Sequence, residues 1–456
     1  MLFDTIIELL YNNMNCYFWL SLKTNFRRIK MDYSKLNKED LKLILDNEMK
    51  KYEEYKSMNL KYDMTRGKPA VKQLALSDDM MSDEYLGDYK TSNGIDCRNY
   101  GILEGIPEIR SLFAELFEVT PEQVIASGNS SLNIMYDLIS AFMLLGTGKG
   151  AMPWVRQGEI KFICPVPGYD RHFAITERLG IKMINVNINE YGPDIDAIEE
   201  LVKNDPSVKG MWSVPKYSNP TGVVYSDEVV ERLASMKCAA DDFRIFWDDA
   251  YTVHMLEGEP AKQLSLIKAC EKAGNPDRAI VLGSTSKITY PGAGVAALAS
   301  SIDNIAWFKK IYTIQTIGPN KINQLRHAKY FKNYDGIVNH MKKHALILKP
   351  KFDCVIRLFE EELGEAAVLT WSNPKGGYFI SVDTTYNCAS EVVAMAKECG
   401  VLFTAAGSTY PYGKDPDNKN IRIAPSLPPV EELEAAIKVF CVCVKICSIR
   451  KLLDKN

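Results

Sequence analysis

Apolar and polar positions along the chain fall into two textures. Short apolar runs of strand length recur in "EQVIASGN", "KFICPVPG", "KMINVNI", "VKGMWSVP", "FRIFWDD", "RAIVLGS" and "GVAALASS". Between several of them lie stretches with helical spacing, such as "SLNIMYDLISAFMLLG" and "SDEVVERLASMKCAA". Buried strands alternating with helices predict an α/β fold whose mostly parallel sheet is sandwiched by helices. After about residue 330 the pattern becomes one long helix, then the strand-like "GGYFISVD", "GVLFTAAG" and "NIRIAPS", then a C-terminal helix. That part reads as a smaller α+β domain. The division expected is an extension over 1–30, an N-terminal helix and loop over 31–79 belonging to the small domain, a large domain over 80–330, and the small C-terminal domain over 331–456.

The first thirty residues carry apolar patches interrupted by Asp4 and Glu8. Their runs fall well short of the roughly 20 residues that span a bilayer, and positive charge follows the apolar part instead of leading it. From Met31, "MDYSKLNKEDLKLILDNEMKKYEEYKS" reads like a protein beginning, with a polar cap and a long helical pattern, so Met31 is the expected start. Composition then narrows the class. With 46% hydrophobic and 25% charged residues the chain is globular with a large core, and 55 Lys and Arg against 58 Asp and Glu leave a net charge of -3, which gives no pull toward nucleic acid.

Eleven irregularly placed cysteines point to reduced thiols and a cytoplasmic setting. Cys441, Cys443 and Cys447 sit in the apolar run "VFCVCVKIC" and read as small core residues. His340 and His344 share a helical face in "NHMKKHA", but with Lys neighbours and no carboxylate between them they read as a solvated helix surface. No metal site is expected.

The strand-end loops carry the unusual chemistry. In "LGSTSKITYPGAGVAALAS" one lysine, Lys287, stands among small residues where a strand should end, and burying an unpaired ammonium is costly. "SGNSSLN" follows a strand and opens a helix, so Gly128, Asn129 and Ser130 can offer donors to a phosphate at the positive end of the helix dipole, or act as a plain helix cap. "KYSNPTG" sets Asn219 in a Pro/Gly turn, and "FWDDAY" ends a strand on carboxylates. A phosphate cradle, a polar Asn, a buried Asp and a lysine with a lowered pKa, in that order on one sheet, are the parts that hold pyridoxal phosphate.

Here the chain resembles the fold-type I, class I/II pyridoxal-phosphate aminotransferases, through "YGILEGIPEIR", "SNPTG", "DDAY", "STSK" and "NIRIAPS", from about Thr65 to about Pro428. "TRGKP", "GNSSLNIMYD", "SKITYPGAGVA" and "IGPNKINQLRH" are similar to the aspartate aminotransferase branch related to MocR-type regulators. The resemblance implies that Lys287 forms the Schiff base and moves the substrate proton, and that Asp248, three before Tyr251, pairs with the pyridinium nitrogen, Asp249 having no such role. It implies that Asn219 and Tyr251 bond the 3′ oxygen, that Gly128, Asn129, Ser130 and Ser284 hold the phosphate, and that Tyr169 stacks on the ring. It further implies that Arg422 grips the substrate α-carboxylate beside Gly67, and that Tyr100 reaches the phosphate of a neighbouring subunit, which makes a homodimer with shared active sites. The loop from Thr316 is a second candidate for crossing between subunits.

One position departs from the pattern. Val295 stands where many relatives carry an arginine on the phosphate. The same "GAGVAA" formally fits a dinucleotide loop, a reading disfavoured because a strand should follow and no acidic residue stands about 20 positions on. The activity implied is transamination, with aspartate and 2-oxoglutarate as the pair. Donors such as alanine, aromatic amino acids or 2-aminoadipate stay open, as do a lyase and a non-catalytic regulator domain, since fold does not decide reaction type. Arg66 is one candidate for the partner of a side-chain carboxylate, a structural arginine near the interface being the alternative reading.

Overall fold

The computed structural model describes residues 32–455, so the expectations about residues 1–30 and a start at Met31 lie outside it. Eight strands make the central sheet: β1 (Val124–Ala126), β2 (Lys161–Val166), β3 (Lys182–Asn189), β4 (Gly192–Pro193), β5 (Val208–Ser213), β6 (Arg244–Asp248), β7 (Ala279–Ser284) and β8 (Ala296–Ala299). Their spatial order is β1-β8-β7-β6-β5-β2-β3-β4. Strands β3, β2, β5, β6 and β7 pair in parallel, whereas β8 runs antiparallel between β7 and β1 and β4 closes the far edge antiparallel. The predicted mostly parallel α/β sheet is present.

Both faces of this sheet are covered, and the register shows it. On β5, Met211 packs into one apolar cluster and Trp212 into the other; on β6, Ile245 and Trp247 face the first and Phe246 the second. Successive side chains of a strand point to opposite faces, so a strand that is apolar at every position needs packing on both sides.

The helices that matter here are α1 (Lys38–Ser57), α2 (Ser131–Leu145), α3 (Asp170–Arg178), α4 (Lys321–Phe331), α5 (Tyr334–Leu363) and α6 (Val430–Lys455). Side-chain caps start several of them: Asn37 accepts from Asp40 N before α1, and Asn333 from Gly336 N before α5. A second, antiparallel sheet has the order β9-β10-β11, formed by β9 (Leu369–Trp371), β10 (Ile380–Thr384) and β11 (Asn420–Ile423). Helix α6 packs against α1 and α5, and it buries Cys441, Cys443 and Cys447 as expected of small apolar residues. The stretch "GVLFTAAG" yields only a two-residue strand, Val401–Leu402, paired with Tyr62–Asp63. Its remainder leaves the sheet because Thr404 Oγ1 donates to Thr65 O at 2.7 Å and draws the segment to the substrate-side loop.

The expected solvated face on α5 is corrected. His340 is 4% and His344 0% exposed. That face turns inward against the segment Ala70–Ser77 and the loop after β7: His344 Nδ1 lies 3.1 Å from Gln73 Nε2, and His340 Nε2 lies 3.0 Å from Ile288 O. The neighbouring lysines point away, Lys342 to the exposed Glu259. Among the described residues no helix is long and apolar enough to cross a membrane.

Candidate active site

Parallel strands end along one edge of the sheet, and ligands bind where their loops collect. Here β6 ends on Asp248 and β7 on Ser284, three residues before Lys287. A cavity of about 500 Å³ opens there, lined by Tyr169, Asn219, Tyr251 and Lys287 from the large sheet and by Arg422, Phe379 and the Arg66–Gly67 segment from the other side.

Lys287 Nζ lies 4.9 Å from the Tyr251 ring centre. Burial lowers its pKa, Asp248 opposes that shift and the charge of Arg422 adds to it. The amine is thereby brought closer to its neutral, nucleophilic form. Asp248 is 3% exposed. Its Oδ2 lies 3.0 Å from His172 Nε2, while its Oδ1 has no partner. His172 is itself buried on α3, stacked on Trp212 with ring centres 4.3 Å apart and planes 8° from parallel, and Tyr169 meets it edge-on. Sequence reading missed His172; the available signal was "YDRH", which puts it three residues after Tyr169 within the first turn of α3. Asp249, by contrast, faces Lys216 Nζ at 3.7 Å, away from this pairing.

Arg422 on β11 is 6% exposed. Its Nη1 donates to Asp170 Oδ1 at 3.1 Å and reaches Asn219 Oδ1 at 3.4 Å, its guanidinium lies 4.8 Å from the Phe379 ring centre, and its Nε has no partner. Gly67 is required on the same ring: a Cβ there would sit 2.6 Å from Phe379 Cζ. Arg66, Lys68 and Arg171 line the cavity as well, so its mouth is basic.

Gly128, Asn129 and Ser130 precede α2. Ser130 is the N-cap residue but makes no capping hydrogen bond, so the plain-cap reading is not realised and the first-turn N–H groups stay open. A Cβ on Gly128 would meet nothing within 4 Å, which leaves room for a ligand. Ser284 Oγ donates to Ser286 Oγ at 3.0 Å, and Ser286 Oγ donates to Asn129 O at 3.0 Å, tying this loop to the one that carries Lys287. Val295 is 1% exposed in the approach to β8, facing the core, and the strand that follows it is not the helix a dinucleotide loop would need.

Tyr100 is not brought to this cavity. It is 81% exposed and lines a separate groove with Thr316–Ile322.

Fold comparison defines the class first. The crystal structure of alpha-aminoadipate aminotransferase from Thermus thermophilus, complexed with N-(5'-phosphopyridoxyl)-L-leucine, is 20% identical, covers 86% of this chain and 93% of its own, and superposes with a TM-score of 0.69, a likeness of fold alone. The architecture is that of the fold-type I aminotransferases. The chain belongs to the aspartate aminotransferase family, whose model, described as aspartate amino-transferase, matches residues 36–456. An aspartate aminotransferase of Corynebacterium glutamicum is 49% identical over 410 residues, 90% of this chain and 95% of that protein. The crystal structure of an aspartate transaminase from Corynebacterium glutamicum is 47% identical, covers 93% of this chain and 100% of its own, and gives a TM-score of 0.90.

Proposed function

We propose that this protein transaminates aspartate with 2-oxoglutarate, using pyridoxal phosphate held on Lys287. The observation that carries the proposal is the half-paired Asp248: one buried oxygen is held by His172 and the other is left without a donor beside the buried amine of Lys287. A buried carboxylate oxygen in that state is costly unless a ligand N–H completes it, and a protonated pyridine nitrogen is such a donor. The cofactor, when bound, supplies an electron sink for the substrate carbon.

The chain's own groups divide the remaining work. Asp248 holds a positive charge on the ring side through Oδ1, and His172 keeps that carboxylate oriented through Oδ2. Gly128, Asn129, Ser130 and Ser284 form the phosphate cradle, with the open N-terminus of α2 standing in for the charge that Val295 cannot carry. Tyr169 would cover the ring, and Asn219 and Tyr251 would hold its phenolic oxygen. Arg422 takes the substrate α-carboxylate with its planar fork, Nε being free to donate. Asp170 must then yield part of its hold on Nη1. Lys287 Nζ, when neutral, would take the proton from the α-carbon of the amino donor and, in the reverse half-reaction, would deliver one to the α-carbon of the 2-oxo acid acceptor. The basic lining from Arg66, Lys68 and Arg171 favours a substrate with a second carboxylate.

A homodimer with shared sites is part of the same reading. It is supported by the exposure of Tyr100 and Ile317, which line one groove that a second copy would cover. The test is direct: pyridoxal phosphate should give a coloured protein in which borohydride traps an adduct at Lys287, and aspartate should bleach the band that 2-oxoglutarate restores. Lys287→Ala should lower kcat by at least about 10⁴-fold. A protein that stays colourless, or that is reduced at another lysine, refutes the proposal.

A further inference from the structure

The chain has five histidines. His172 holds Asp248. His254, His327, His340 and His344 are buried, and none of them lines the cavity. They lie behind it: His327 Nε2 is 2.9 Å from Thr289 Oγ1, His340 Nε2 is 3.0 Å from Ile288 O, and the His254 ring packs edge-on against Tyr251 and Tyr378.

At the centre of this layer is Gln73, 0% exposed. Its Oε1 accepts from Ala70 N at 3.0 Å. Its Nε2 donates to Tyr378 OH at 3.0 Å and to His344 Nδ1 at 3.1 Å. Tyr378 OH donates in turn to Lys287 O at 3.2 Å. The hydrogens follow from donor and acceptor chemistry. Gln73 Nε2 can only donate, so His344 Nδ1 accepts and its Nε2 carries the hydrogen toward His340 Nε2 at 3.2 Å. His340 Nε2 also lies 3.0 Å from Ile288 O, its Nδ1 lies 3.4 Å from Tyr330 OH, and Tyr330 OH donates to Leu76 O at 3.0 Å. Both imidazoles are neutral in this chain of bonds, as burial favours.

The direction of the network matters. Ala70 and Gln73 follow within a few residues of Arg66–Lys68, which line the substrate cavity. A set of hydrogen bonds therefore runs from Ala70, two residues along the chain from the cavity-lining Lys68, through Gln73 and Tyr378 to the carbonyl of Lys287, and it cannot slide without leaving a polar group unpaired. We infer that Gln73 and Tyr378 are positioning residues that couple seating of a substrate carboxylate on residues 65–68 to placement of the Lys287 amine. The inference rests on the Lys287 reading given above.

Holoenzyme reconstituted with pyridoxal phosphate tests it, with succinate as an unreactive dicarboxylate probe. Two quantities are measured: the succinate dissociation constant by calorimetry, and the succinate-induced shift in the apparent pKa of the cofactor absorbance band. Tyr378→Phe keeps the ring and removes only the hydroxyl. It should lower kcat about tenfold with KM within about threefold, and should abolish most of the succinate-induced shift while the dissociation constant changes less than about threefold. Gln73→Leu should do the same, and if it fails to fold Tyr378→Phe decides alone. Wild-type kcat and a full shift in Tyr378→Phe would overturn the coupling while leaving Lys287 in place. A wild-type holoenzyme without the band would remove the Lys287 reading and this inference together.

Discussion

Asp242, in the turn two residues before β6, and Asp248, the last residue of β6, are buried carboxylates, 9% and 3% exposed, and they are treated in opposite ways. At the N-terminal edge of the sheet Asp242 is fully occupied. Its Oδ1 lies 2.7 Å from Lys209 Nζ, and its Oδ2 accepts from Trp154 Nε1 at 2.9 Å and Gln157 Nε2 at 3.0 Å. Burial pushes its pKa up, but the Lys209 and Gln157 hydrogen bonds outweigh that and hold it below the usual value. At the C-terminal edge Asp248 has one histidine and an unpartnered oxygen. The same residue type has its hydrogen bonds complete just before β6 and one withheld at its end, where the proposed cofactor would supply the donor.

The largest effect that can break this contrast is on turnover. Asp248→Asn should lower kcat about 10³-fold, because a neutral amide cannot hold charge on the ring nitrogen, while stability stays equal or rises as an incompletely paired charge is removed. Steady-state rates and a denaturant melt on the same sample check both halves. Asp242→Asn should do the reverse: about 3 kcal/mol of unfolding free energy lost, since Lys209 is left buried without its partner, with kcat of the folded fraction unchanged. Comparable loss of turnover in both variants would erase the distinction.

A smaller effect sharpens the view of the packed layer behind Lys287. Burial pushes the pKa down to about 3 for His254 and His344 and about 4 for His327 and His340. Against an unfolded value near 6.5, the unfolded chain binds more protons between these limits. Stability should therefore be full above about pH 6.5 and fall as pH drops toward about 4, by up to about 1.4 kcal/mol per pH unit for each imidazole. Melting temperatures across that range check the sign, and His327→Gln should flatten the slope; stability that rises on acidification would contradict neutral, buried imidazoles.

Much of this site could be read along the chain. Lys287, Asp248, Tyr251, Asn219, Tyr169 and Arg422 were named from short motifs, and the structure gathers them about one cavity or directly beneath it. Tyr100 was named too, with the expectation that it serves a neighbouring subunit, and it stands apart from its own chain's cavity. The histidines were harder. His340 and His344 have lysines for sequence neighbours, yet the face they share meets Gln73 and Ser77, more than 260 residues away along the chain. Ser286 escaped notice because its role is to bridge Ser284 to the backbone of Asn129, a link between loops that no motif spells out.

Spacing along the chain was enough to establish strands, helices and the order of reactive groups, because apolar periodicity and strand-end loops are local properties. It could not say which oxygen of Asp248 would be satisfied, or which helix face would be dry. Those outcomes depend on what distant segments bring to the same point: α3 carries His172 to Asp248, and α5 lays two imidazoles against the loop of Lys287. Burial and hydrogen-bond completion are properties of surfaces in contact, and a linear pattern specifies only one of the two surfaces.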